Sequence, residues 1–404
     1  MERDMTKTGP LAGMKVIELA HIMAGPVCGL MLADMGADVI KVEKPDGDDS
    51  RRFVPPAIQG ESAAYMMMNR NKRGVALNLK EAQGVEALHR LLEEADVVIE
   101  NYRMGTMERL GLGYEDLRAI NPRLIYCEIS GFGRTGPYAQ RGGFDLIAQG
   151  MSGLMSITGE GPGRPPVKTG APVSDITAGI VAAMGVSAAY ARMLQTGEGQ
   201  KVDTSLFEAA ITQTYWQSAI AFATGVAPGP MGSAHPLNGP YQAFETADGW
   251  INVGAANQRN WLRFLDVIGA PELNDDPRFS SNHERMQHLG ELEEILNGYL
   301  RHETSAVWLE RMEQAGLPAG PVLDILEMQA DPQARAREMI VEVEHPTAGR
   351  VKTLGHPVKF SETPASLRHA APVLGQHSRE VLHEAGYDAQ EIEAMVASGA
   401  VIAA

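Results

Sequence analysis

The chain is poor in cysteine, in aromatic residues and in positive charge. Its two cysteines, Cys28 and Cys127, are too few for a disulfide framework or, alone, for a zinc site, and read as small core residues. Lysine and arginine number 35 against 51 aspartates and glutamates, a net charge of −16. That balance argues against non-specific binding to nucleic acid or to an anionic membrane. The 11 histidines are scattered, without H-E-x-x-H or any other paired ligand spacing, so no metal is expected. No G-x-S-x-G elbow is present. The apolar run Ile176–Ala191 falls short of the about 20 residues a bilayer-spanning helix needs, and reads as a core helix. Residues 1–15 lack the apolar centre of a secretory signal, which makes the cytoplasm the expected location. There is no internal repeat.

What is present suits a soluble globular protein: 404 residues, 44% hydrophobic and 21% charged, enough for about two or three domains. Short β-branched runs at 15–19 and 38–43 flank a helical stretch at 27–35, which makes a βαβ unit. The alternation continues with helices at 81–95 and 107–120 and strands at 96–100 and 124–130. Such a pattern predicts a parallel, doubly wound sheet with ligands at the carboxyl ends of its strands. Glu43 ends the second strand, where a dinucleotide fold keeps its ribose-binding acid. The first turn, AHIMAGP, lacks G-x-G-x-x-G, so a nicotinamide or flavin enzyme is disfavoured. A strand at 201–207 leads into a helix at 208–224. The breaker-rich segment Gly225–Pro240 then marks a boundary and a flexible loop. Beyond it, hairpins are expected to turn at Asp248-Gly249 and Ala348-Gly349, with helices around Trp261 and Leu292 and at 378–385 and 389–397.

Asp175 is the best candidate nucleophile. It sits between a Gly/Pro-rich loop and the apolar run, at the expected N-cap of a buried helix. One reading makes it a cap that accepts backbone N–H bonds. The other makes it a carboxylate shielded from water beside free helix-terminal amides, suited to covalent catalysis. Seven cations between Lys41 and Arg73 (Lys41, Lys44, Arg51, Arg52, Arg70, Lys72, Arg73) against five acids leave two readings, an anion site or a salt-bridged surface. The strand-end loops add Asn101-Tyr102-Arg103 and GFGRTGPYAQRGGFD, in which an aromatic beside Arg could stack a purine and pair a phosphate. His21 and His235, beside Gly and Pro, are read as hydrogen-bonding or packing residues.

The stretches MKVIELAHIMAGPVCGLMLADMGADVIKVEKPDGDDSR, ADVVIENYRMGTMERLGLGYEDL, ISGFGRTGPYAQRGGFDLIAQGMSGLMSITGE and VKTGAPVSDITAGIVAAMGVSAAYARM carry a family likeness. Together they resemble the class III CoA-transferases, the CaiB/BaiF group. The resemblance implies Asp175 as catalytic aspartate. It also implies coenzyme A contacts from Met23, Ala24, Lys44, Leu77, Lys80, Asn101, Tyr102, Arg103 and Arg109, with Phe144 and Asp145 flanking the thioester. An acyl-CoA donor and a carboxylic acid acceptor would then be the substrates, and no cofactor would be permanently bound. The implied fold is a Rossmann-like large domain built from both chain ends (1–224 and 326–404) and a small α+β domain (225–325) that carries a lid loop. Two such chains are implied to interlock as a homodimer. Phe144 stands where the family's racemase branch has a histidine base, which makes α-proton abstraction on an acyl-CoA the second reading; a non-catalytic CoA-binding subunit is a third.

Overall fold

The computed structural model describes residues 9–404. It contains two compact units. The larger takes the chain up to Ser152, Thr169–Gln213 and Pro332–Ala404; the smaller takes Gly153–Lys168 and Thr214–Asp331.

Six parallel strands build the larger unit: β1 (Lys15–Glu18), β2 (Asp38–Glu43), β3 (Lys72–Leu77), β4 (Val97–Glu100), β5 (Ile125–Ser130) and β6 (Lys201–Ser205). Across the sheet they run 3-2-1-4-5-6, and the short strand Val401–Ile402 pairs antiparallel with the outer edge of β3. Strand order reverses between β1 and β4, so the loops that leave their carboxyl ends splay apart and open a crevice.

Successive residues of a strand face opposite sides of the sheet, and both sides are apolar here. Val16, Val39, Val97, Ile125 and Cys127 pack with Cys28 and Leu32 of helix α1 (Ala24–Asp34). Their neighbours Ile17, Ile40, Val98 and Tyr126 pack on the other face with Leu88 and Leu92, and with Val381, Leu382, Ile392 and Met395 from the last two helices. Each such buried aliphatic side chain contributes about 1.5–3 kcal/mol.

Helix α2 covers Asp145–Met151 and helix α3 covers Val173–Thr196. At 24 residues α3 is longer than the sequence pattern suggested, and by length and composition it could cross a membrane. One stripe of it, Ala178, Ala182, Val186, Ala189 and Met193, lies in the sheet core beside α1. Gly179 makes that packing close: a Cβ there would meet the Ala24 carbonyl oxygen at 2.6 Å.

Two further differences have local causes. The helix expected over 107–120 breaks into Thr106–Arg109 and Tyr114–Ile120 around Gly111 and Gly113, and the one expected over 208–224 divides into Leu206–Thr212 and Tyr215–Thr224. The smaller unit holds the three-stranded sheet of Tyr241–Glu245, Trp250–Gly254 and Ala319–Pro321, cored by Trp261, Phe264 and Phe244. The Gly225–Pro240 loop belongs to this unit. His235 stacks on Tyr241 at 5.3 Å and its Nδ1 accepts from Leu237 N–H at 3.1 Å, while Asn282 donates to the Leu237 carbonyl at 2.9 Å.

Candidate active site

Three loops leaving the carboxyl ends of β1, β4 and β5, with the first turn of α3, enclose a cleft of about 500 Å³ in the larger unit. Met23, Ala24, Asn101, Tyr102, Arg103, Phe144 and Asp175 all line it, joined by Arg134 and Arg141. Glycine makes the third wall. Gly131 and Gly143 lie backbone to backbone, and a Cβ on Gly131 would reach the Gly143 Cα at 2.6 Å. That approach returns the GFGRTGPYAQRGG loop to the sheet edge and starts α2 there.

Asp175 is not the N-cap that the sequence suggested. Pro172 takes that position, and Asp175 is the third residue of α3. The helix end is instead satisfied from α2, where Asp145 accepts the Ser174 N–H at 2.9 Å and the Gln149 side-chain amide at 2.7 Å. Gln149 in turn accepts the Thr169 N–H at 3.0 Å. With these groups supplied by others, the Asp175 carboxylate is half-buried and, among the described residues, has no hydrogen-bond or ion-pair partner. Burial, and second the nearby Asp145 charge, push its pKa up to about 6. At neutral pH it remains mostly ionised while being more basic than a surface aspartate, which favours nucleophilic attack.

The cationic groups divide sharply. All seven cations of the 41–73 stretch are paired: Lys41 with Glu18 and Asp48, Lys44 with Asp49, Arg51 with Glu43, Arg52 with Asp46 and Asp49, Arg70 with Asp34, Lys72 with Glu18, Arg73 with Asp38 and Glu384. The stretch is salt-bridged throughout, but not as a surface, since Lys41, Arg70 and Lys72 are buried. Glu43 is likewise occupied, by Arg51 at 2.7 Å and by the Tyr65 hydroxyl at 3.1 Å. In the cleft, by contrast, exposed Arg103 has no acidic partner among the described residues, and the Arg141 guanidinium lies 4.1 Å over the Tyr138 ring.

Other expected site residues fall outside the cleft. Lys44 lines a neighbouring pocket of about 160 Å³ that shares His21, Asp49 and Tyr102 with it. Leu77 is fully buried in the sheet core, Lys80 is exposed, and Arg109 is exposed with its guanidinium on Thr106 at 3.0 Å. Asp145 serves the helix end and does not face the cleft. Asn101 lines the cleft, but its side-chain amide is occupied: it accepts His21 N–H at 3.0 Å and donates to the His21 carbonyl at 2.8 Å. His21 packs against Tyr102, ring centroids 5.6 Å apart, and burial lowers its pKa.

Arg134 was not foreseen. Its guanidinium donates to Glu100 at 2.6 Å and to the Tyr102 carbonyl at 3.0 Å, while Glu100 accepts Tyr102 N–H at 2.6 Å. Together the two side chains fix the backbone that carries Tyr102 and Arg103. Burial outweighs the Arg134 charge and pushes the Glu100 pKa up to about 7. A larger cavity of about 690 Å³ lies by Asp34, Arg70 and residues 336–367. Asp34 there is held by Arg70 at 2.6 Å and Asn71 at 2.7 Å, and both His356 ring nitrogens are buried.

Residues 11–378 match the family model described as CoA-transferase family III. The succinate–glutarate CoA-transferase of Agrobacterium fabrum is 41% identical over 382 residues, spanning 93% of this chain and 95% of the relative. The human succinyl-CoA:glutarate CoA-transferase is 37% identical over 402 residues, 99% of this chain and 92% of that one. Among solved structures, a CaiB/BaiF family protein from Brucella suis superimposes with a TM-score of 0.85 at 38% identity, covering 94% of this chain and all of the other.

Proposed function

Because the chain belongs to CoA-transferase family III, we propose that it moves coenzyme A from a dicarboxylic acyl-CoA to a second dicarboxylic acid, with Asp175 as the covalent nucleophile. The observation that carries the reading is the Asp175 carboxylate: raised in basicity, unpartnered among the described residues and lining the cleft.

In this reading an Asp175 oxygen attacks the donor thioester carbonyl and coenzyme A leaves as its thiolate, giving an aspartyl mixed anhydride. The thiolate then attacks the aspartyl carbonyl and expels the donor acid as a carboxylate, which leaves an aspartyl-CoA thioester. The acceptor carboxylate attacks that thioester and the thiolate leaves again. Finally the thiolate attacks the acceptor's own carbonyl, which releases the new acyl-CoA and the Asp175 carboxylate. Each transfer is divided into steps between activated acyl groups, the advantage of covalent catalysis. Water must be kept from the anhydride throughout.

Arg103 and Arg141 are the cations for anionic substrates, whether phosphates of coenzyme A or the free end of a dicarboxylate. Relatives named for succinate, glutarate and D-citramalate support the dicarboxylate class, and one at 39% identity is named for acetyl-CoA and oxalate. Phe144, 73% exposed at the cleft, offers no base for α-proton abstraction, which disfavours racemisation. A homodimer is part of the proposal: Met184 and Leu194 on α3 are 66% and 62% exposed, and Tyr215 and Phe222 of the smaller unit 75% and 89%.

The test is mass spectrometry of the protein incubated with a panel of acyl-CoAs and trapped with hydroxylamine. A hydroxamate on the Asp175 peptide is expected. Absence of any label, together with solvent deuterium entering the substrate's α position, would sink the transferase reading.

A further inference from the structure

Ile22 is a β-branched residue at φ 68°, a conformation that such side chains rarely adopt without being forced. The forcing groups are visible. Both Asp48 carboxylate oxygens accept the Ile22 N–H, at 3.2 and 3.3 Å. The Asn101 amide holds His21 N–H and the His21 carbonyl, and the Lys41 ammonium donates to the Ala20 carbonyl at 2.9 Å. Thus four consecutive backbone groups between β1 and α1 are each taken by a side chain from another element. Asp48 is itself immobilised. It pairs with fully buried Lys41 at 2.9 Å and accepts from the Ser50 N–H at 2.8 Å and hydroxyl at 2.7 Å. Met23 and Ala24, the next two residues, line the cleft along with Ile22.

We infer that Asp48 is a positioning residue of the cleft: it holds Ile22 left-handed, and so sets the course of the chain that presents Met23 and Ala24 to the coenzyme A ester. The inference rests on the functional reading for its ligand, but its geometry does not. The family stretch that contains Asp48 gives it no role, because its partner Ile22 lies twenty-six positions earlier and is recognisable only by its backbone angle.

The experiment compares Asp48→Ala, Asp48→Asn and the double variant Asp48→Ala/Ile22→Gly by calorimetric titration with coenzyme A, by KM for the acyl-CoA and by amide exchange at residues 20–24. Asp48→Ala should weaken coenzyme A binding and raise KM about tenfold, the scale of a left-handed penalty no longer compensated. Asp48→Asn loses charge but keeps an acceptor for Ile22 N–H, and should stay within about threefold of the parent while melting earlier. Adding Ile22→Gly to Asp48→Ala should restore most of the affinity, since glycine takes the left-handed conformation freely. A simple structural ion pair predicts the opposite pattern: Asn as damaging as Ala, and no recovery with glycine. Either result overturns the inference. Should Asp48→Ala not fold, the double variant against Asp48→Asn makes the same comparison. If the parent protein binds no coenzyme A, the functional reading fails, and exchange protection at Ile22 across the variants still decides the clamp.

Discussion

Asp48 and Asp175 are the same side chain in two neighbouring regions of one sheet edge, and the fold treats them oppositely. Asp48 accepts from Lys41, Ser50 and Ile22, and the Lys41 charge with the Lys41 and Ser50 hydrogen bonds holds it well below the usual carboxylate range despite its burial. Asp175 receives no hydrogen bond from the described residues, and burial beside Asp145 drives it upward to about 6. The charged residues behind β1 and β2 thus form a closed set, with Glu18, Lys41 and Lys72 fully buried and mutually paired. Even there burial pulls Lys72 down to about 8 against the attraction of Glu18. Complete satisfaction marks the scaffold, and a withheld partner marks the chemistry.

The strongest way to break the contrast is Asp175→Asn. Transferase turnover is expected to fall at least about a thousandfold, since the other carboxylate of the cleft, Asp49, is tied up by Lys44 and Arg52. The same variant should be the more stable protein. The folded pKa of about 6 lies above the unfolded value of about 3.9, so ionisation costs the native state. That cost is absent below the unfolded value and complete above the folded one. At pH 7 the variant should gain about 1–3 kcal/mol, and at pH 3.5 the gain should vanish; urea melts at both pH values check this.

Lys41→Met attacks the closed set. Removing one partner of a buried pair leaves Glu18 and Asp48 short of charge and should destabilise by about 3–5 kcal/mol in denaturant melts. Arg103→Ala tests the open region more gently: KM for the acyl-CoA should rise about tenfold with kcat little changed, as expected for a charge-assisted contact present throughout the reaction. The smallest effect sharpens the comparison. Asp145→Asn removes a negative neighbour but keeps an acceptor for Ser174 N–H, so the acid limb of the kcat profile, expected near pH 6 in the parent, should move to lower pH by a fraction of a unit. An unchanged limb would assign it to another group.

Much of the large sheet was legible because its strands are short β-branched runs separated by helical periods: Asp38–Glu43 agrees at both ends. The strand Lys72–Leu77 was not. Its first residues are Lys and Arg, which read as solvent-facing, yet Lys72 is buried on Glu18 and the residues after Gly74 fill the core. Asp175 was legible as a carboxylate at the mouth of an apolar helix, but its place in the first turn was not. What caps α3 is Asp145, twenty-nine positions before the Ser174 N–H it accepts and brought there by α2. Asn101 has a role that spacing does not show. The resemblance marks it as a ligand contact, and the structure shows its amide bound to the His21 backbone. Spacing along a chain reports periodicity, whereas these roles depend on which loops the sheet order makes adjacent.

The strand Val401–Ile402 has a consequence for biosynthesis. It supplies the outer neighbour of β3 by pairing with Leu77 and Ala76, residues translated very much earlier. Until it arrives, β3 presents an open hydrogen-bonding edge to the crowded space around the ribosome, the kind of edge on which other chains nucleate. A chain truncated after Gly399 should therefore be found with chaperones or in aggregates, and one that keeps Val401–Ile402 should not.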